Sequence, residues 1–253
     1  MRVICMVPSW TETLLEAGVE VVGRTGFCNE PKYKVSTIPV VGGTKNINWN
    51  KLKQLKADLL ILDKEENPKD MAANSPIPFV ATHIESIQDM PSNLELLAIK
   101  TKNQNLNIYA EEWRRVISQL QSLEEPYTWE SFPGVLKWWR KPTQKIDQVL
   151  YLIWKNPWMA VSKDTFIGSV LTSLGLKKLL VGFSEKYPKI ELSDYSPKNT
   201  LLLFSSEPYD FAKEMEPLIK MDYPCALVDG ASFSWFGLRS LRFLQEVAMR
   251  KKA

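Results

Sequence analysis

The sequence predicts an α/β protein built as two Rossmann-like lobes with mostly parallel sheets, joined by one long backbone helix. Three observations predict it. Short apolar, β-branched runs alternate with helical stretches in the first part of the chain, the pattern of crossover units. Two consecutive helical patterns then follow with no strand between them, the second about 20 residues and roughly 30 Å long. Strand–helix alternation then resumes to the C-terminus.

In order, "RVICMV" reads as a buried strand and "SWTETLLEAG" as a helix, with Ser9 or Thr11 as its cap and Gly18 as its stop. "INWNKLKQLKA" is amphipathic, "DLLILD" is a buried strand, "NPKDMAA" is a short helix opened by Pro68, and "PFVAT" is a strand. "SIQDMPSNLELLAIKT" and "LNIYAEEWRRVISQLQSLEE" are the two consecutive helices, and the proline- and aromatic-rich "PYTWESFPGVLKWWRKPTQ" reads as an irregular connection. The second half repeats the alternation: strands in "QVLYLIW", "NTLLLFSS" and "CALVD", helices in "TFIGSVLTSLG", "DFAKEMEPLIK" and "LRSLRFLQEVAMRKK". The expected organisation is an N-terminal lobe over 1–102, a backbone helix and connection over 103–147, and a C-terminal lobe over 148–253.

Bulk composition narrows the function. The chain has 253 residues, 45% hydrophobic and 24% charged, a globular profile. A net charge of +3 argues against a nucleic-acid binder that depends on a basic surface. No apolar run approaches the roughly 18 residues that cross a bilayer, so a membrane-embedded protein is not expected. Cys5, Cys28 and Cys225 make no CxxC pair and no disulfide framework, which suits a reducing compartment. "MRVICMVPS" enters a strand directly, without an apolar signal region. The expectation is therefore a cytoplasmic chain, or a periplasmic one if an export segment had been trimmed from it.

Ligands of open parallel sheets bind beyond the carboxyl ends of the strands. Two facing lobes would put the site in the cleft between them. The loops expected there are "PSWTE", "GFCNEP", "VGGTKN", "DKEENP", "WKNPWM", "SSEPYDF" and "DGASFSWFGLR". They concentrate Trp10, Trp154, Trp158, Tyr209, Phe233, Trp235 and Phe236, with Glu12, Glu30, Glu65, Glu66 and Glu207 beside them. Trp154 and Trp158 bracket a Lys-Asn-Pro turn, where small polar residues are the rule. Such rings either pack on a neighbouring loop or line a mouth for a flat apolar ligand. Glu12 and Glu66 read equally as charge in a first helical turn. Gly42-Gly43 reads as a turn, and Cys28 beside Glu30 is either a soft ligand pair or a buried thiol. His83, the chain's one histidine, reads as structural, because Ser-His-Asp and His-based zinc sites need partners that are not apparent.

Five blocks in order, "VPSWTETLLEAGVEVVGRTGFC", "VGGTKNINWNKLKQLKADLLILDKEEN", "YLIWKNPWMAVSKDTFI", "SSEPYDF" and "DGASFSWFGLR", resemble a known family. They are similar to cytoplasmic-type members of the class III periplasmic-binding-protein superfamily, the helical backbone metal receptors. That group includes the cobalamin- and iron-siderophore-binding proteins of ABC importers. The resemblance spans nearly the whole chain and is weakest over 103–147. It implies two lobes bridged by a rigid helix, a shallow cleft, and a bulky metal-containing ligand: cobalamin, another tetrapyrrole-like compound, or a metal chelate such as a ferric siderophore. It implies no required cofactor, no catalysis, and an ABC permease as a possible partner. Carried over by position, Ser9, Trp10 and Glu12 match the first cleft loop. Thr44 and Lys45 match the second, where cobalamin binders often have an aromatic. Trp154 and Trp158 match the third, and Trp235, Phe236 and Arg239 the last. Relatives often carry a histidine within the Cys-x-x-Pro stretch, which here reads Cys28-Asn29-Glu30-Pro31.

The chemistry of these residues agrees. Aromatic faces stack on flat macrocycles, and burying one gains about 25 cal/mol per Å² of apolar area. Arg239 and Lys163 can pair with peripheral carboxylates, phosphates or catecholates. Glu207 can accept from amides or hold a hard cation. Arg239 reads equally as one half of a salt bridge on the last helix. The leading expectation is a non-catalytic receptor. A rival is an enzyme acting on a chelate or tetrapyrrole precursor with Glu207 or Glu12 as acid or base. A second rival is an interaction protein whose aromatic loops meet another chain.

Overall fold

A computed structural model describes residues 1–121 and 128–250. The end of the long second helix at Ser122–Glu125, the start of the connection at Pro126–Tyr127, and Lys251–Lys252 of the last helix lie outside the described residues. The chain divides into two compact units, Met1–Val116 with Trp235–Leu241, and Ile117–Ser234 with Arg242–Ala253.

The first unit is built on β1 (Arg2–Cys5), α1 (Pro8–Glu16), β2 (Glu20–Thr25), α2 (Lys32–Val35), β3 (Val40–Gly43), β4 (Asn46–Ile47), α3 (Trp49–Gln54), β5 (Leu59–Asp63), α4 (Lys69–Ala73), β6 (Phe79–Thr82) and α5 (Met90–Thr101). The strands form one sheet in the order β4-β3-β2-β1-β5-β6. It is parallel except for the β3–β4 pair. β5 is apolar until its final Asp63 and buried at every position, as expected of a central strand covered on both faces. One face packs Ile4, Met6, Val41, Leu52, Leu60, Leu62 and Met71 together. Neither Ser9 nor Thr11 caps α1: Val7 is the N-cap residue and Pro8 opens the helix, where its missing N–H costs nothing. Asn48 caps α3 by accepting from the Lys51 N–H at 3.0 Å.

α6 (Asn105–Gln121) follows α5 with no strand between them, and the boundary of the two units falls inside it. Its buried residues Leu106, Ala110, Trp113, Val116 and Leu120 recur every three or four positions, a single helical stripe.

The second unit contains β7 (Val135–Arg140), β8 (Gln148–Trp154), β9 (Trp158–Ala160), α7 (Phe166–Leu171), β10 (Lys189–Ile190), β11 (Thr200–Ser205), α8 (Met215–Ile219), β12 (Cys225–Val228), α9 (Gly230–Ser234) and most of α10 (Leu238–Arg250). Its sheet runs β10-β9-β8-β11-β12-β7. Only its centre, β8–β11–β12, is parallel; β7, β9 and β10 pair antiparallel. Two of these strands sit where the sequence suggested a connection and a turn. β7 is the "VLKWWR" of the proline-rich stretch, and β9 folds back from β8 as a hairpin after Lys155-Asn156-Pro157. Prolines on either side of β7 mask its short strand pattern, and its edge position tolerates them.

Candidate functional site

In the first unit, the carboxyl ends of β1, β2, β3, β5 and β6 carry the candidate residues. The segment after β1 is helix rather than loop, and this decides the fate of Trp10. Its indole is 0% exposed; Nε1 donates to Thr82 Oγ1 at 2.8 Å and the ring meets Phe236 edge-on at 5.2 Å. Trp10 and Phe236, expected to line a ligand face, therefore pack against each other in the core, and neither offers a free ring. Ser9 is buried as well.

Glu12 and Arg239 are brought together. Arg239 donates from Nε at 3.0 Å and from Nη2 at 2.8 Å to the two oxygens of the Glu12 carboxylate, which is 10% exposed. The guanidinium also lies 4.9 Å from the Trp235 ring centroid. Of the two readings of Arg239, the structure shows the salt bridge. Trp235 keeps part of its surface exposed. The segment Trp235–Leu241, expected from its position to belong to the second lobe, is part of the first unit.

After β2, Cys28 is fully buried, with Sγ 3.1 Å from both Thr11 Oγ1 and Thr25 Oγ1. The buried-thiol reading is the one observed. The neighbouring Cys5 thiol is pushed up to about 12, first by burial and then by Cys28. Arg24 ties this loop from inside, donating to the carbonyls of Thr25, Cys28, Val35 and Ile38. The residue the loop presents outward is Phe27, 60% exposed, which the sequence reading passed over. Glu30 is half-buried and accepts from the Lys32 N–H.

After β3, Gly42 turns at φ +156°, and a side chain there would run into the Asn46 carbonyl. Thr44 is half-buried and Lys45 exposed. Lys45 Nζ donates to the Glu66 carbonyl at 2.6 Å and the Glu65 carbonyl at 3.4 Å. Asn67 joins three strand ends: Nδ2 donates to the carbonyls of Met6 and Thr44, and Oδ1 accepts from the Asp63 N–H. Burial raises the Asp63 carboxyl above its ordinary range, although Thr82 Oγ1 donates to it at 2.6 Å. Burial also raises Glu66; Lys45 opposes that shift, while Asp63 and Glu65 add to it.

His83, after β6, is not an isolated structural residue. Its Nε2 lies 3.3 Å from Glu65 Oε1 and 3.5 Å from Glu85 Oε1, and these donor atoms all fall within 4.8 Å of one another. This is the group among the described residues that could hold a metal ion.

In the second unit the aromatic residues do assemble at the carboxyl ends of β8 and β11. Trp154 is 41% exposed and meets Tyr209 edge-on at 5.2 Å. Tyr209 packs on Phe211 at 4.6 Å, and Trp158 stacks parallel to Phe211 at 6.2 Å. Lys155 lies 5.9 Å from the Trp158 ring centroid and pairs with Glu214, which also accepts from the Tyr209 hydroxyl. That acceptor raises the Tyr209 phenol; Lys155 first, and then Tyr209, lower the Glu214 carboxyl. Lys163 is exposed. Glu207 is half-buried and accepts from Ser234 Oγ at 3.3 Å. Trp154, Tyr209, Phe211 and Trp158 thus form a tethered aromatic cluster on this unit alone. No helix among the described residues is long and apolar enough to cross a membrane.

No family model matches the chain. A curated relative, a vitamin B12-binding protein of Pectobacterium atrosepticum, is 26% identical over 132 residues, 50% of this chain and 47% of that protein. The match thus spans about half the length of the curated relative. Solved structures match nearly end to end. The periplasmic vitamin B12 binding protein BtuF of Vibrio cholerae superposes with a TM-score of 0.69 at 15% identity, over 99% of this chain and 96% of that one. IsdE of S. aureus, complexed with heme, gives 0.72 at 12% identity over 98% and 97%. The heme-binding protein RhuT of Roseiflexus sp. RS-1 gives 0.68 at 13% over 98% and 96%. Likeness of this extent at such identities shows a shared fold.

Proposed function

On a chain with the fold of the class III periplasmic binding proteins, we propose a non-catalytic receptor for a bulky metal-containing compound: cobalamin, another tetrapyrrole-like compound or a ferric siderophore. The observation that carries this reading is the half-exposed ring cluster of Trp154, Tyr209 and Trp158 at the carboxyl ends of β8 and β11. That edge is where open α/β sheets take their ligands. Large rings already held by one another and by the Lys155–Glu214 pair lose little freedom on binding, which favours a large, preformed ligand. On the first unit, Phe27, Trp235, Thr44 and Lys45 are among the residues at strand ends with surface to offer. Trp10, Phe236, Cys28 and Ser9 support the loops from within, and Arg239 acts through Glu12. Glu207 and Lys163 supply polar contacts to the ligand's periphery. An ABC permease is the partner such a receptor would serve.

A panel of cobalamins, haem and ferric siderophores titrated against tryptophan fluorescence tests the proposal. Saturable quenching by one member is expected. Trp154→Ala should weaken that ligand about tenfold, the equivalent of about 1.4 kcal/mol of lost stacking. No saturable response to any of them defeats the reading, and turnover of a bound chelate would replace it with an enzyme. Cell fractionation decides the setting. Recovery in the cytoplasm, the compartment that the three buried free thiols suit, makes the protein a carrier rather than an importer subunit.

A further inference from the structure

We propose that Glu65, His83 and Glu85 form a binding site for one divalent transition-metal ion, with zinc the best match. The site belongs to the first unit alone and needs no organic ligand. Its donors come from two successive strand ends, Glu65 after β5 and His83 with Glu85 after β6. Both carboxylates approach the same ring nitrogen, Nε2, at 3.3 and 3.5 Å. Around a tetrahedral zinc with ligand bonds of about 2.0–2.2 Å, neighbouring donors stand about 3.3–3.6 Å apart. The imidazole nitrogen is therefore already at donor spacing from both oxygens, and all three donor atoms lie within 4.8 Å of one another. One imidazole with two carboxylates suits zinc, manganese or iron better than calcium or magnesium, which prefer oxygen alone.

The backbone under each donor is held. The Glu65 N–H donates to Asp63 Oδ1 at 2.9 Å, the His83 N–H to Asn93 Oδ1 at 3.3 Å, and the Glu85 N–H to Asp89 Oδ2 at 3.0 Å. Lys45 fixes the Glu65–Glu66 turn from the other side through its carbonyls. The three side chains are 32–44% exposed, which leaves an entry path and room for water in the fourth position.

A charged imidazole bridging two carboxylates would give the same distances without metal, so the test must read the ion itself. The chain carries one histidine, so its imidazole gives one set of ring resonances in a tag-free sample. Zinc titrated into the full chain at neutral pH, by calorimetry and by nitrogen–proton NMR of that ring, should show a single site of micromolar affinity or tighter. The ring signals should shift in step with the heat. Glu65→Gln and Glu85→Gln should each weaken zinc about tenfold or more, and His83→Gln should abolish the site. Wild-type chain that binds no tighter than millimolar overturns the proposal, as does zinc binding that survives His83→Gln. With cobalamin, haem and siderophores absent, the outcome is independent of the receptor proposal.

Discussion

Arg239 holds Glu12 through Nε and Nη2, one edge of its guanidinium, while its face lies on Trp235. Removing the arginine would strand a carboxylate that has little water. Arg239→Ala is expected to cost about 2–3 kcal/mol, measured by denaturant melts, and Glu12→Gln in the same chain should recover part of it. The thiols make a second prediction at this scale. Burial raises Cys5 from 9.0 to about 12. A raised folded value means the folded state resists ionisation: the contribution is intact below pH 9 and fades as pH climbs toward about 12. Cys225, raised to about 11, acts in the same sense. Stability should therefore fall between about pH 9 and 12. The native thiols should resist alkylation at pH 8 yet react fully in denaturant; rapid native alkylation would contradict their burial. The sequence named most of the residues at the strand ends, but not which way each one points. Cys28 and Phe27 are neighbours, and only packing shows that the thiol faces in and the ring faces out.

At the scale of elements, the short run Trp235–Leu241 is fastened to α1. Leu238 N–H donates to Thr13 Oγ1 at 3.1 Å, and Gly237, at φ +98°, lies so close that a methyl group would strike the same oxygen. Gly237→Ala combines backbone strain with that clash and should cost about 1–3 kcal/mol, read as a lower melting temperature. Most helices and central strands were legible because each carries a strong local pattern: the stripe of α6, the unbroken apolar runs of β5 and β11. β7 and β9 were not. β7, an edge strand flanked by prolines, owes its form to hydrogen bonds from β12, far along the chain, and β9, three residues long, is held between β8 and β10.

For the molecule as a whole, the division into units does not follow chain order. The first unit takes a segment from near the C-terminus, and Phe236 from that segment covers Trp10. A fragment ending at Val116 is therefore expected to lack a cooperative thermal transition by circular dichroism. Adding residues 235–241 through a flexible linker should restore one. A fragment that melts cooperatively without them would show that the segment is an accessory.

The α/β class, the doubled strand–helix alternation and the resemblance to metal-compound receptors were determined by the sequence itself, because periodicity and turn chemistry are local. Tertiary structure alone decided that Trp10 is core, that Arg239 is committed to Glu12, that Trp235 sits with the first unit, and that His83 stands between Glu65 and Glu85. Trp10 meets Thr82 across 72 positions, Glu65 meets His83 across 18 and Glu12 meets Arg239 across 227, and no local pattern encodes which side chains meet across such distances.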